Sequence, residues 1–173
     1  MIASAVNIAA DEREPEDMDE AIRVLNKYAP DLHFAMADNK FSFRKYNNVR
    51  DVCIALRQPI GQEDFDLRHK TNYITTYYVC CSTHFPNTLT YSQPFEAELL
   101  PWLSLARGFD GMLRWAYNSW PARPEYDSRF RRWASGDTFI VYPGARSSLR
   151  FERLIDGVEF SEKVRTLRAK YAD

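Results

Sequence analysis

The chain has 173 residues, of which 45% are hydrophobic and 27% charged, and its net charge is −1. This length and composition are those of one soluble domain with its own core, and the near-neutral charge argues against general polyanion binding. The sequence lacks the roughly 20 consecutive apolar residues of a membrane span. It also lacks the basic flank and length of a signal peptide at its start. Neither nucleic acid nor a membrane is therefore an expected partner, and the chain as it stands is expected to be cytoplasmic, with its compartment left open.

The cysteines predict free thiols. Cys53, Cys80 and Cys81 are an odd number without regular spacing, which is not the pattern of a disulfide framework. Zinc-type spacings such as CxxC are missing from the sequence. We therefore expect buried free thiols in a reducing compartment, and no metal or organic cofactor.

Short apolar runs alternate with amphipathic segments along the whole chain. Pro15, followed by Glu16 and Asp17, is typical of a helix start, and Pro30 ends that helix. The predicted strands are residues 4–10, 32–36, 51–56, 74–81, 111–117 and 138–142, and the predicted helices are residues 15–29, 95–107 and 149–171. Residues 118–136 form a long predicted loop. This alternation indicates an α/β domain with a parallel sheet, either doubly wound or a barrel. Because glycine-rich phosphate loops are lacking, nucleotide binding is not expected.

Polar and aromatic residues follow the predicted strands, at the end where parallel α/β proteins carry their sites. Convergent polar groups and aromatic rings together are typical of a sugar site. The residues at strand ends that would suit such a site are Asn39, His84, Asn87, Tyr117, Asn118 and Trp120. Taken alone, His84 is more simply explained as a hydrogen-bonded structural histidine, and Trp115 has the alternative of a core residue.

The adjacent carboxylates Asp11 and Glu12 directly follow the first predicted strand. If both faced one cavity, their repulsion would hold a proton on one of them, as a general acid requires. Charge alone also allows a simpler interpretation, in which the pair begins the acidic cap of the helix at Pro15.

Several separate blocks, in order and spacing, resemble the catalytic domain of glycoside hydrolase family 123, the β-N-acetylgalactosaminidases and their relatives. The blocks read DER at 11–13, LPWL at 100–103, GFDG at 108–111, LRWAYNSW at 113–120, GDTFIVYPG at 136–144 and LRFERLIDGVE at 149–159. The resemblance covers nearly the whole chain and implies a (β/α)₈ barrel. It also implies hydrolysis of terminal β-linked N-acetylhexosamine with the substrate's own 2-acetamido group as nucleophile. By this resemblance, Asp11 stabilises the 2-acetamido group and Glu12 is the acid/base. The resemblance also implies that the sugar is contacted by Asn39, His84, Asn87, Trp115, Asn118, Trp120 and Tyr142.

Full members of that family carry a further domain and the first barrel strands before the acidic pair, which stands here at residue 11. We therefore expect one domain, residues 1–173, that supplies about five βα units of a barrel truncated at its N-terminus. An open barrel exposes strand edges. A glycan substrate, self-association or a partner chain that completes the barrel are the expected partners. The alternative is an inactive barrel remnant that serves as a carbohydrate-binding or assembly module.

Overall fold

The computed structural model describes residues 6–46 and 48–171, with the backbone alone described for residues 6–10 and Pro15. The chain divides into a first unit, Met1–Tyr78, and a second unit, Val79–Asp173. The expectation of one partial barrel domain over residues 1–173 stays a prediction.

The first unit is built on a parallel sheet whose strands lie in chain order. These strands are β1 (Val6–Asp11), β2 (His33–Asp38), β3 (Val49–Ala55) and β4 (Ile74–Val79), the last residue of which is counted with the second unit. Parallel neighbours require crossover connections, and two of these contain helices. A 3₁₀ turn, Pro15–Met18, leads into α1 (Asp19–Tyr28) between β1 and β2, and α2 (Gln62–Lys70) joins β3 to β4. A second 3₁₀ turn, Ser42–Arg44, follows β2.

The core of the first unit is apolar and lies between α1 and the sheet. Ile22 and Leu25 are three positions apart, so they share one face of α1 and are both buried. Phe34 and Met36 alternate with half-buried residues along β2, as one buried face of a strand requires. The buried cluster consists of Met18, Ile22, Leu25, Phe34, Met36, Phe43, Val49, Val52 and Ile54.

The second unit contains α3 (Pro94–Arg107), β5 (Gly111–Arg114) and α4 (Leu149–Tyr171). Pro94 occupies the first turn of α3, and Gly108 ends the helix with φ of 80°, a conformation that glycine adopts without strain. Helix α4 packs on α3 at Gly157, where a Cβ atom would collide with the backbone carbonyl of Glu98. The α3–α4 pair is therefore packed backbone to backbone at this point.

The α/β class with a parallel sheet, predicted from the sequence, is confirmed. The structure places strands or helices at most of the predicted segments, and α4 has the predicted bounds. Ser4 and Ala5, at the start of the first predicted strand, lie outside the described residues. The prediction that this sheet belongs to a truncated eight-stranded barrel stays a prediction.

Two predictions about local structure were wrong, and one helix was not predicted. Residues 138–142 are not a strand; they make turns and isolated bridges, one of which joins Asn118 to Phe139. Strand β5 ends at Arg114, so Trp115 and Tyr117 lie beyond the strand that was predicted to contain them. Helix α2 was missed, because only Phe65 and Arg68 of its residues are buried and its apolar pattern is weak.

The cysteines are free thiols, as predicted, but only Cys53 is buried. Burial raises the pKa of the Cys53 thiol to about 11, because the apolar surroundings disfavour the thiolate. Cys80 is half-buried and Cys81 is exposed, because β4 ends at Val79 and both cysteines lie in the loop that follows.

Over the described residues, the helices include none with the length and apolar character needed to cross a lipid bilayer.

Candidate active site

The acidic pair lies at the carboxyl end of β1, as predicted. Asp11 is the last residue of the strand, and Glu12 follows with φ of 50°, in the left-handed region. This conformation costs a non-glycine residue roughly 1 kcal/mol or more. The Glu12 backbone N–H donates to the carbonyl of Ala37 at 2.9 Å, which holds the turn against the end of β2. Both residues are exposed, so their carboxylates are open to an incoming molecule.

A β-bulge precedes the pair. The pairing of β1 with β2 shifts between Ile8 and Ala10, which leaves one extra residue in β1. Bulges of this kind commonly lie beside active sites, because they change the direction in which the following side chains project. The bulge and the left-handed turn together interrupt the regular alternation of side chains just before and at the acidic pair.

Tyr78 contacts Glu12 directly. Its hydroxyl donates a hydrogen bond to Glu12 Oε1, although the two residues are 66 positions apart. Tyr78 lies near the carboxyl end of β4 and is only 6% exposed, so the ring is held by its surroundings and the hydroxyl is fixed. Tyr78 is not among the site residues predicted from the sequence. Its place near the end of a predicted strand was the one available signal.

Lys40 lies in the loop after β2 and brings a positive charge toward the acidic pair. Its Nζ is 2.7 Å from Glu14 Oε1. The bond to the Glu14 carboxylate raises the pKa of Lys40, and the charge of Glu12 adds to this effect. The lysine is therefore a stable cation close to the candidate acid/base.

Asn39 follows β2 in a turn that Asp38 organises. The buried carboxylate of Asp38 accepts hydrogen bonds from the backbone N–H of Lys40 at 2.7 Å and of Phe43 at 3.1 Å. The Asn39 carbonyl accepts a bond from the side chain of Gln58. Asn39 Oδ1 is buried and makes no hydrogen bond within residues 6–46 and 48–171. This amide oxygen is therefore unpaired among those residues, but it is shielded from solvent.

In the second unit, Trp115 follows β5 directly and keeps 39% of its surface exposed. Its indole Nε1 donates to Asp137 Oδ1 at 3.2 Å. The ring centroid lies 5.1 Å from that of Trp133, with 53° between the ring planes. Neither Asp137 nor Trp133 was predicted from the sequence, because both stand in segments without a periodic pattern.

The remaining predicted aromatic residues also pack in this unit. Tyr117 is 48% exposed and meets Phe151 edge to face, with ring centroids 5.9 Å apart. Trp120 is half-buried, and its indole nitrogen donates to the carbonyl of Val141 at 2.7 Å. Tyr142 packs edge to face on Phe139. Residues 117–119 pair with residues 138–140, so these aromatic residues and the exposed Asn118 lie in or next to the paired segments.

His84 and Asn87 have different surroundings. His84 is exposed in the loop after β4. Asn87 has no exposed surface, and its amide nitrogen donates to the carbonyls of Cys80 and Thr83 at 2.9 and 2.7 Å. Its backbone N–H donates to Glu96 Oε2 at 3.0 Å. These contacts favour a structural role for Asn87 over sugar binding.

Two buried arginines hold the loop that carries Asp137. Arg150 Nη1 donates to the carbonyl of Gly136 at 3.0 Å and also binds the carbonyl of Thr88. Arg114 Nη2 lies 3.4 Å from Asp137 Oδ1. Desolvation lowers the pKa of both arginines, and that of Arg150 falls to about 10, which keeps Arg150 charged at neutral pH.

The family profile described as "Glycoside hydrolase 123, catalytic domain" matches residues 1–167. The chain belongs to glycoside hydrolase family 123. The resemblance found in the sequence is thereby confirmed, and the domain is of a glycosidase family.

Among solved structures, a similar one is that of a family 123 glycoside hydrolase from Clostridium perfringens, described in terms of glycolipid glycan hydrolysis. The two share 25% sequence identity with a TM-score of 0.79, and the match covers 95% of this chain. This chain spans 32% of the length of that protein. A comparison with curated proteins finds no match.

Proposed function

We propose that this family 123 domain hydrolyses terminal β-linked N-acetylhexosamine, N-acetylgalactosamine in particular, by a substrate-assisted retaining mechanism. The observation that carries the proposal is the exposed Asp11–Glu12 pair at the carboxyl end of β1, with Glu12 bound by the Tyr78 hydroxyl. Simple helix capping does not account for that hydrogen bond, which comes from a different strand.

In the proposed first step, the carbonyl oxygen of the substrate's 2-acetamido group attacks the anomeric carbon. The bond to the leaving oxygen breaks as Glu12 transfers its proton to that oxygen. A cyclic oxazolinium forms, and the carboxylate of Asp11 stabilises the positive charge that develops on the amide nitrogen. In the second step, Glu12 removes a proton from water, which opens the ring at the anomeric carbon. Glu12 is then protonated again, and the product keeps the β configuration.

Tyr78 has a defined part in this scheme. Its hydroxyl engages Oε1 of Glu12 and so orients the carboxylate, while the other oxygen is the proposed proton carrier. A hydrogen bond to a charged group contributes about 1.5–3 kcal/mol. Because the carboxylate is already oriented, its side chain does not have to change rotamer before each proton transfer.

The proposed sugar contacts are residues with accessible or unpaired polar groups and partly exposed rings. They are Asn39 in the first unit and His84, Trp115, Tyr117, Asn118, Trp120 and Tyr142 in the second. Each is proposed on the contacts that it makes within its own unit.

The test is hydrolysis of an aryl 2-acetamido-2-deoxy-β-galactoside by the purified chain and three variants. Glu12→Gln should lower kcat at least about 1,000-fold, since it removes the proton carrier. Tyr78→Phe should lower kcat about tenfold through the lost hydrogen bond. Glu16→Gln is the matched control, because Glu16 is an exposed acidic residue in the first turn after the pair and has no proposed part in the reaction.

Retention and the role of the acetamido group are tested separately. Proton NMR of the first-formed sugar should show the β anomer, and an aryl β-galactoside with a 2-hydroxyl in place of the acetamido group should not be cleaved. An α product, or cleavage of the 2-hydroxyl substrate, would contradict substrate assistance. Because the similar Clostridium perfringens enzyme is described as acting on glycolipid glycans, a glycolipid glycan that ends in β-linked N-acetylgalactosamine belongs in the substrate panel.

The absence of turnover by the folded wild-type chain would overturn the proposal. Sugar binding without turnover would then support a carbohydrate-binding module. If Glu12→Gln keeps both its fold and its activity, the acidic pair has no part in the mechanism.

A further inference from the structure

Asp137 is a buried carboxylate whose hydrogen bond goes to a partly exposed indole. Asp137 has no exposed surface, while Trp115, which donates to it, keeps more than a third of its own. Trp133 lies beside Trp115 at 5.1 Å between ring centroids. We call Asp137, Trp115 and Trp133 the indole cluster. All three residues belong to the second unit.

Asp137 is held through its carboxylate and through the backbone around it. Arg114, whose side chain is 6% exposed, pairs with Oδ1 at 3.4 Å and donates to the carbonyl of Val79 at 3.1 Å. The preceding carbonyl, of Gly136, accepts from both Arg114 and Arg150 at 3.3 and 3.0 Å. The Asp137 backbone N–H donates to the carbonyl of Ala134 at 3.0 Å. The backbone around Asp137 is therefore fixed, and Arg114 pairs with Oδ1, so Oδ1 presents the Trp115 indole with an acceptor in one position.

If Asp137 served only to neutralise the charge of Arg114, the ion pair between the two side chains would be enough. The additional bond to the Trp115 indole fixes the orientation of a ring that stands directly after β5, at the carboxyl end of the strand. Partly exposed indoles in fixed orientations suit pyranose rings, which present apolar C–H faces to aromatic surfaces. The ring directions of Trp115 and Trp133 differ by 53°, so the two indoles form an angled surface.

We propose that Asp137 is a positioning residue that holds the indole of Trp115, beside Trp133, as a binding surface for the apolar face of an N-acetylhexosamine ring. The class of sugar rests on the proposed function. The position of the indole rests on the contacts of the indole cluster. Asp137 acts only through Trp115, because its own atoms are buried.

The experiment measures binding of methyl 2-acetamido-2-deoxy-β-galactoside by titration calorimetry in the Glu12→Gln background, where turnover does not interfere. Asp137→Asn and Trp115→Phe should each raise Kd about tenfold, which corresponds to about 1.4 kcal/mol. The double variant should bind no more weakly than Trp115→Phe alone, because a residue that acts through Trp115 has nothing left to position. Asp127→Asn, which alters an exposed carboxylate paired with Arg129, is the matched control and should leave Kd unchanged.

A purely structural Asp137 would give a different result. Asp137→Asn would then lower Tm and leave Kd unchanged, or its effect would add to that of Trp115→Phe, and either result overturns the proposal. If Asp137→Asn does not fold, Trp133→Phe is compared with Trp102→Phe, whose indole packs on Phe160 outside the indole cluster. Equal Kd values for those two variants would also overturn it.

The two proposals fail separately. Hydrolysis by the wild-type chain with an unchanged KM in Asp137→Asn would refute the positioning role and leave the proposed function intact. Sugar binding that follows the expected pattern, without hydrolysis, would support the indole cluster and refute the catalytic role of Glu12. The lack of any sugar binding would refute the positioning role.

Discussion

The two units of the chain are stabilised differently. In the first unit, strands and α1 enclose a core of aliphatic and aromatic side chains, and the main chain satisfies its hydrogen bonds within the sheet. In the second, the segment from Trp115 to Ser148, described throughout, has no helix or strand, and buried polar side chains bind its backbone. Backbone groups that are buried without a sheet must find other partners, and here arginine, serine and threonine supply them. Regular structure thus stabilises the first unit, and within the second unit specific polar contacts stabilise the segment from Trp115 to Ser148.

The largest effect expected is in the apolar core of the first unit. Phe34 is 1% exposed, so Phe34→Ala should lower the free energy of unfolding by about 4 kcal/mol, through lost burial and the cavity that remains. Phe160→Ala is the control, since Phe160 is exposed on α4, and it should cost less than about 1 kcal/mol. Denaturant unfolding measures both values. Similar losses of unfolding free energy in the two variants would mean that the apolar core is not what stabilises the first unit.

The polar contacts that stabilise residues 115–148 of the second unit are tested at Gly136. An added Cβ would lie 2.7 Å from both Arg150 Nη1 and Thr90 Cγ2, at a φ of 78°. Gly136→Ala should therefore lower the unfolding free energy by about 3 kcal/mol, from backbone strain and displaced contacts together. Gly108→Ala has a similar φ of 80° but open space around it, so it should cost only about 1 kcal/mol. Equal costs would mean that the arginine contacts around Gly136 contribute little.

The thiols of the two units differ in how they change the free energy of unfolding at high pH, and this effect is smaller than the two above. The pKa of Cys53 in the first unit is about 11 in the folded chain, against an ordinary value of 9.0. Above pH 9 the unfolded chain loses this proton while the folded chain keeps it, so stability falls as pH rises from about 9 to about 11. The loss is up to about 2 kcal/mol for a shift of this size. Unfolding curves at pH 8 and pH 11 should show this loss in the wild type and not in Cys53→Ala.

Cys81→Ala is the control for that measurement. Cys81 in the second unit is exposed, and partial desolvation raises its pKa, with a further contribution from Asp137. The Cys81 variant should therefore keep most of the wild-type pH dependence. Loss of the pH dependence in Cys81→Ala would mean that the Cys81 thiol, and not the Cys53 thiol, causes it.

Elements whose buried faces are periodic could be predicted from the sequence. Helix α1 has Pro15 and acidic residues at its start and apolar residues at helical spacing, and the parallel strands were equally visible. Helix α2 could not be found in this way, since its buried surface includes the charged Arg68, which donates to the carbonyls of Val49 and Ile74. Phe139 and Ile140 are buried as an apolar run implies, yet their neighbour is the short segment 117–119, which offers too few partners for a strand.

The residues of the candidate site also divide into those that could be predicted from the sequence and those that could not. The place of Asp11 and Glu12 after β1 could be predicted, because strand ends are visible in the sequence. Their roles came from the family resemblance and remain proposals. Tyr78 and Asp137 could not be predicted, because each acts through a contact between segments distant in sequence that only the folded chain brings together.

The contact of Gly157 with Glu98 also determines how far α4 can slide along α3. A shift of one helical turn would bring Arg153 or Ser161 opposite the Glu98 carbonyl, and each carries a Cβ where the structure leaves room for a hydrogen alone. The two helices consequently have one axial register, set by a missing side chain instead of by an attractive contact.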